Sequence, residues 1–218
     1  MKKTIEITVP KDWSAITFRT WLKLQADLKN YEEDEGAYEH ILLYHLCGIT
    51  PDVLEQLDND TLNSIKEDLT GFMNKSEDYT LQRIIKVGEK EYGFEPNLGK
   101  MSYGAYLDIA SYKSIELNEE WVDMVSILYR EVKKKRGALY EIKKYQGVDP
   151  WESEKWMDLG MDFHFGCFFF FNRLYKDLQQ GILKSTKNHP EISPNIKSIL
   201  EQSGEVMHQL QQSQKITY

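Results

Sequence analysis

MDFHFGCFFFFNRLYKDL, residues 161–178, is the stretch whose reading decides the fold. Phe168 to Phe171 run without a break, Phe163 and Phe165 precede them, and polar Asn172 and Arg173 follow. No proline interrupts the chain between Trp151 and His189, so the segment is predicted to be helical. Consecutive side chains of a helix point about 100° apart, and four adjacent rings therefore cover every side of it. Such a helix has no wet face. Either it is the central pillar of a core, or another chain covers part of it. Under the second reading Phe163, Phe168, Phe169 and Tyr175 are the candidate contact residues.

The flanking sequence is mostly helical in pattern. Thr4 to Val9 alternates as a short strand ended by Pro10. Ser14 or Thr17 can cap a helix carrying Phe18, Trp21, Leu22 and Leu28. Tyr31 to Glu35 reads as a loop, and Tyr38 to Leu46 as a buried helix stopped by Gly48. Thr50-Pro51 opens a further helix, Asp58 to Asp60 breaks it, and Thr61 to Met73 is amphipathic. Arg83 to Val87 and Glu91 to Phe94 form a hairpin around Gly88. Ser102 caps a helix reaching about Tyr112, and Asn118 caps one with Trp121, Val125, Leu128 and Val132 on a shared face. Ala138 to Tyr145 is strand-like, and a short helix over Trp151 to Met157 leads into the aromatic one.

The expected class is mainly α with short β-hairpins, an α+β fold, in one globular domain over 1–187. A linker and helical tail follow over 188–218. There Asn195 to Gln212 places Ile196, Ile199, Leu200, Met207 and Leu210 at helical spacing. If the phenylalanine helix is core, then Ile199, Met207 and Leu210 become the better candidates for contact with a partner.

Laid on itself at an offset of 85 residues, the chain aligns Ile16-Thr17-Phe18 with Met101-Ser102-Tyr103 and Trp21-Leu22 with Tyr106-Leu107. Leu42-Leu43-Tyr44 then falls on Ile127-Leu128-Tyr129 without a gap. One reading is a duplicated strand-helix-helix unit, 1–80 and 81–150, packed around central helices within 151–187. The other is that any two amphipathic helices align this well.

Composition narrows the options. With 41% hydrophobic and 28% charged residues, the chain has the make-up of an ordinary globular domain. A net charge of −8 argues against general nucleic-acid binding. Basic residues do cluster at Lys133, Lys134, Lys135 and Arg136, and again at Lys143-Lys144. A solvated helix end and hairpin is favoured there over a phosphate or acidic-partner site. Cys47 and Cys167 are far apart in apolar surroundings and read as free thiols of a reducing compartment. No run is long and apolar enough for a signal peptide or a membrane span, so a cytoplasmic location is expected and no membrane contact.

No catalytic signature emerges. His40 and His45 are five apart, a poor fit to one helix face, and the His164–Cys167 spacing has no second pair to complete a metal site. Glu32 to Glu35 and Glu119-Glu120 lie beside loops and caps, where they favour helix N-termini. There is no glycine-rich phosphate loop and no nucleophile elbow. No catalytic, cofactor-binding or metal-ligating residue is assigned, and no cofactor is expected.

Three stretches carry a resemblance. They are EYGFEPNLGKMSYGAYLDIASY (91–112), WVDMVSILYREV (121–132) with YEIKKY (140–145), and MDLGMDFHFGCFFFFNRLYKDL (157–178). Their order resembles small morphogenesis proteins of tailed bacteriophages, tail-assembly chaperones or virion proteins, which share "YGFxPNLxKMTxGEYxDL", "AxxVLYRPV", "YxIxxY" and "GAxxFFxxL". The match spans about the last 90 residues before the tail, with the first 80 residues less clearly included. Gly104-Ala105-Tyr106 stands where those proteins have Gly-Glu-Tyr, and Arg130-Glu131-Val132 where they have Arg-Pro-Val. The resemblance implies a non-enzymatic assembly role in the host cytoplasm. Its partners would be other phage structural proteins, or further copies of the chain itself. A permanent tail, ring or connector subunit is the alternative it allows. If the phenylalanine helix is the pillar, Phe169→Ala is expected to cost about 3–5 kcal/mol.

Overall fold

A computed structural model describes residues 7–31, 35–75, 79–112 and 115–173. The fold is α+β: helices dominate, and one four-stranded antiparallel sheet has the order β1-β2-β3-β4. After a 3-10 turn at Trp13–Ala15, Thr17 caps α1 (Phe18–Asn30), its hydroxyl accepting from the Thr20 N–H at 3.2 Å. Next come α2 (Glu35–Cys47), α3 (Pro51–Leu54) and α4 (Asn59–Met73), the last capped by Asp58. The hairpin of β1 (Ile84–Val87) and β2 (Lys90–Phe94) turns at Gly88, where φ is +61°. α5 (Tyr103–Ser111), capped by Ser102, and α6 (Trp121–Leu128) lead directly into β3 (Tyr129–Arg136) and β4 (Leu139–Ile142). Then α7 (Pro150–Ser153) and a 3-10 turn (Glu154–Asp158) precede the aromatic helix α8, helical from 161 to 173. Among the described residues no helix is long and apolar enough to cross a membrane.

α8 is surrounded. Phe163 stacks on Trp156 and meets Tyr129 edge-on, while Phe168 and Phe171 meet Trp121. Phe165 lies between Trp13 and Trp21, and Phe170 meets Phe94 of β2. The helix thus touches the N-terminal turn, α1, α6, the sheet and the 3-10 turn before it. Its N-terminal half is the more deeply enclosed, with Met161, His164 and Cys167 at most 1% exposed. From Phe169 to Phe171 the rings are half-buried. The large truncation cost expected at Phe169 therefore belongs to Phe163 instead.

Two backbone crossings seat this helix. The segment 14–18 runs across its start, with the Phe18 N–H donating to Leu159 O (3.0 Å) and the Met161 N–H to Ile16 O (2.8 Å). Farther along, a Cβ added at Gly166 would sit 2.5 Å from Thr80 O, so only glycine admits the strand lead-in at that distance.

The structure corrects several sequence expectations. Residues 7–9 form no strand, and 4–6 lie outside the described residues. Ile7 and Val9 pack on the core all the same. α6 stops at Leu128 and does not carry Val132. There the Leu128 carbonyl accepts from the Glu95 N–H (2.7 Å), and Tyr129 pairs with Phe94, so sheet contacts override the helical pattern. The basic run 133–136 is accordingly strand, not helix end. At the 85-residue offset, Thr17-capped α1 matches Ser102-capped α5, each followed by a second helix. The strands differ, and Leu42-Leu43-Tyr44 lies within α2, whereas Ile127-Leu128-Tyr129 crosses from helix into strand.

Gly166→Ala is expected to lower unfolding stability by about 1–3 kcal/mol through overpacking against Thr80. Gly71→Ala is the control: it lies on the exposed face of α4 with nothing within 4 Å of the added Cβ, and a gain of up to about 1 kcal/mol is expected. Phe163→Ala is expected to cost about 3–5 kcal/mol, and Phe169→Ala clearly less. Urea midpoints read all four.

Candidate functional site

The groups best suited to chemistry lie in the dry centre. Trp121 Nε1 donates to His164 Nδ1 at 3.0 Å, so the imidazole proton is on Nε2, which donates to Trp156 O at 3.0 Å. Trp156 Nε1 donates to Ser126 Oγ (2.7 Å), which bonds Ser153 Oγ (3.0 Å). Phe18 stacks on the imidazole at 4.5 Å. Burial pushes the His164 pKa down to about 3, holding the ring neutral. Below it, Cys167 Sγ lies 3.4 Å from Tyr129 Oη, and burial pushes its thiol up to about 12. A neutral imidazole and a protonated thiol with no access to solvent position tryptophans and have no route to a substrate. Among the described residues no group of three or more His, Cys, Asp or Glu side chains is placed to hold a metal ion.

An open surface lies elsewhere, along α2. This helix, EGAYEHILLYHLC, is apolar on nearly every side. Leu42, Leu43 and Leu46 fill the core on one side. At its end Gly48, at φ +69°, turns the chain, its N–H returning to Tyr44 O at 3.0 Å. Pro51 then starts α3 alongside the outer face of α2. Between them lies a groove of about 620 Å³ lined by Tyr31, Ile41, Tyr44, Ile49 and Leu54, with His40 and Glu55 as polar groups. Tyr31 and Tyr44 are 54% and 50% exposed. α2 is held in place by His45, which bonds Asp27 of α1 at 2.7 Å, and by Glu39, which pairs with Lys66 of α4 at 2.6 Å.

A second apolar surface is on α5, where Tyr103, Tyr106 and Leu107 follow i, i+3, i+4 spacing and all stand exposed. Tyr145 Oη, bonded to Asp108, ties this helix to the segment after β4.

The residues singled out from sequence fall differently. Phe163 and Phe168 are core, 2% and 7% exposed, and Phe169 is half-buried against Phe165 and Phe168. Tyr175, Ile199, Met207 and Leu210 lie outside the described residues. Sequence reasoning missed the groove because it treated Tyr38 to Leu46 as a wholly buried helix. The signal was the lack of any polar face on α2, which resembles α8 in this. The enclosing layers reach α2 on one side only, and Tyr38 and Tyr44 remain about half exposed.

Because native His164 resists protonation, the unfolded chain gains a proton that the native state refuses once pH falls below about 6.5. Stability is then expected to drop by up to about 1.4 kcal/mol per pH unit down to about pH 3. Urea midpoints measured from pH 7 to 4 should fall more steeply for the wild type than for His164→Gln. No family model, curated protein or solved structure matches the chain.

Proposed function

We propose that this chain is a non-enzymatic phage morphogenesis protein that binds another virion protein, in the manner of a tail or baseplate assembly chaperone. The observation that carries the reading is the groove beside α2, an apolar and aromatic concavity left open on the domain surface. Exposed aromatic side chains in a concave apolar setting are the surface that an apolar segment of a partner would cover. The aromatic motif order along 91–178 supplies the phage assignment. The reactive side chains of the core are shut away from solvent, which favours binding over catalysis.

The α5 surface favours a second reading, a permanent ring, tail or connector subunit. Such a subunit needs at least two separate interfaces, and α5 and the α2 groove are distinct apolar surfaces. Mass spectrometry of purified particles separates the two. Stoichiometric presence sinks the chaperone, and absence despite expression in infected cells sinks the structural subunit.

Tyr31→Asp/Tyr44→Asp is expected to abolish recovery of the partner from infected cells while leaving the melting temperature within about 2 °C of wild type. Undiminished recovery by the double variant would remove the groove as the binding site.

A further inference from the structure

The apolar stripe at 196–210 needs an apolar counterpart. Placed on a helix at about 100° per residue, Ile196, Ile199, Leu200, Met207 and Leu210 fall within an arc of about 100°. Lys197, Glu201, Glu205 and His208 lie outside that arc, with Lys197 and His208 on the flank next to Leu200. A helix of this length is marginal on its own in water, and Gly204 within it weakens it further. It forms stably only against a surface that covers the stripe.

The groove beside α2 has the shape for this. It is lined from two helices, by Ile41 and Tyr44 of α2 and by Leu54 of α3, with Tyr31 at the end of α1. An amphipathic helix seats residues at i, i+3 and i+4 in such a concavity. On α5, by contrast, the exposed Tyr103, Tyr106 and Leu107 all belong to one helix. The charges also match. Glu55 lines the groove and Asp52 stands exposed on α3 beside it, an acidic margin for the Lys197 flank.

The chain itself brings the two within reach. Arg173 of α8 donates to Tyr79 O at 3.4 Å, and α4, which precedes Tyr79, is paired to α2 through Lys66 and Glu39. Residues 174–195 separate Arg173 from the stripe. A stretch of that length spans up to about 75 Å when extended, and a domain of this size is about 40 Å across. An attached segment acts at an effective concentration on the order of millimolar, which favours it over the same segment of a second copy. We propose that residues 196–210 dock as an amphipathic helix in the α2 groove of their own chain, with the stripe against Ile41, Tyr44 and Leu54, and that a partner must displace them. The displacement rests on the groove being the partner's site; the docking does not.

The test is fluorescence anisotropy of a labelled synthetic peptide of residues 195–212 with the full chain. Ile199→Asp/Leu200→Asp in the chain empties the groove, so this variant should bind the wild-type peptide at least about threefold more tightly than the wild-type chain does. That ratio corresponds to a groove filled about two thirds of the time. Adding Tyr31→Asp/Tyr44→Asp to the variant should abolish the binding, with Tyr31→Ser/Tyr44→Ser as the same test if the charged chain does not fold. Lack of peptide binding by Ile199→Asp/Leu200→Asp, equal affinity of that variant and the wild type, or binding that survives loss of both tyrosines would each overturn the proposal. So would light scattering that finds a wild-type dimer which Ile199→Asp/Leu200→Asp dissolves, because the occupant would then be a second copy. No partner is present in this assay, so its failure is distinguishable from failure of Tyr31→Asp/Tyr44→Asp to block partner recovery.

Discussion

A helix with large rings on every side needs polypeptide against most of its circumference, and α8 imposes that requirement on much of the molecule. Trp13, Trp21, Trp121, Trp156, Phe94 and Tyr129 come from six different elements, yet all turn toward the same rod of rings. Where polar atoms are trapped in that wall they are answered one by one. Trp121 Nε1 meets His164 Nδ1, His164 Nε2 meets the Trp156 carbonyl, and Trp156 Nε1 meets Ser126. An indole or imidazole nitrogen left unpaired in such surroundings would cost about 1–3 kcal/mol. The histidine is therefore part of the packing.

The legible part of the fold was the part written in local terms. Thr17, Ser102 and Asp58 announce helix starts through their own hydroxyl or carboxylate, Gly48 and Gly88 announce turns through their backbone freedom, and the phenylalanine run announces a pillar. The illegible part was decided at a distance. Nothing near Leu128 says that its carbonyl will be taken by Glu95, ending a helix that its own spacing would continue. Nothing within Ile7 to Val9 says that these residues stay out of the sheet. The site was harder still, because an apolar helix looks the same in sequence whether its neighbours enclose it or stop halfway. α8 and α2 carry similar patterns, yet α8 is covered much more completely than α2.

α2 and the β3–β4 ribbon illustrate two ways in which a domain with a closed centre keeps surface for others. In α2 the packing is incomplete on one side, and the result is a concave apolar strip between helices. In the ribbon β3 runs on past its last pairing with β2, and the result is a row of exposed cations from Lys133 to Arg136. Their chemistries are opposite and the residues that form them do not overlap, so occupation of one leaves the other available.

The contact between the N-terminal segment and the start of α8 has a consequence for biosynthesis. Arg19 finds Asp158 across 139 positions of sequence, and Phe18 stacks on a histidine farther along still. At a translation rate of about 5–20 residues per second, α1 waits roughly 7 to 30 s on the ribosome before its partners are made. During that interval Phe18, Trp21 and Leu24 have no aromatic rod to rest against. The nascent chain thus spends most of its synthesis as an apolar, unfinished wall, and its solubility in that period depends on charged α1 and α4 faces and on whatever cellular factors bind emerging polypeptides.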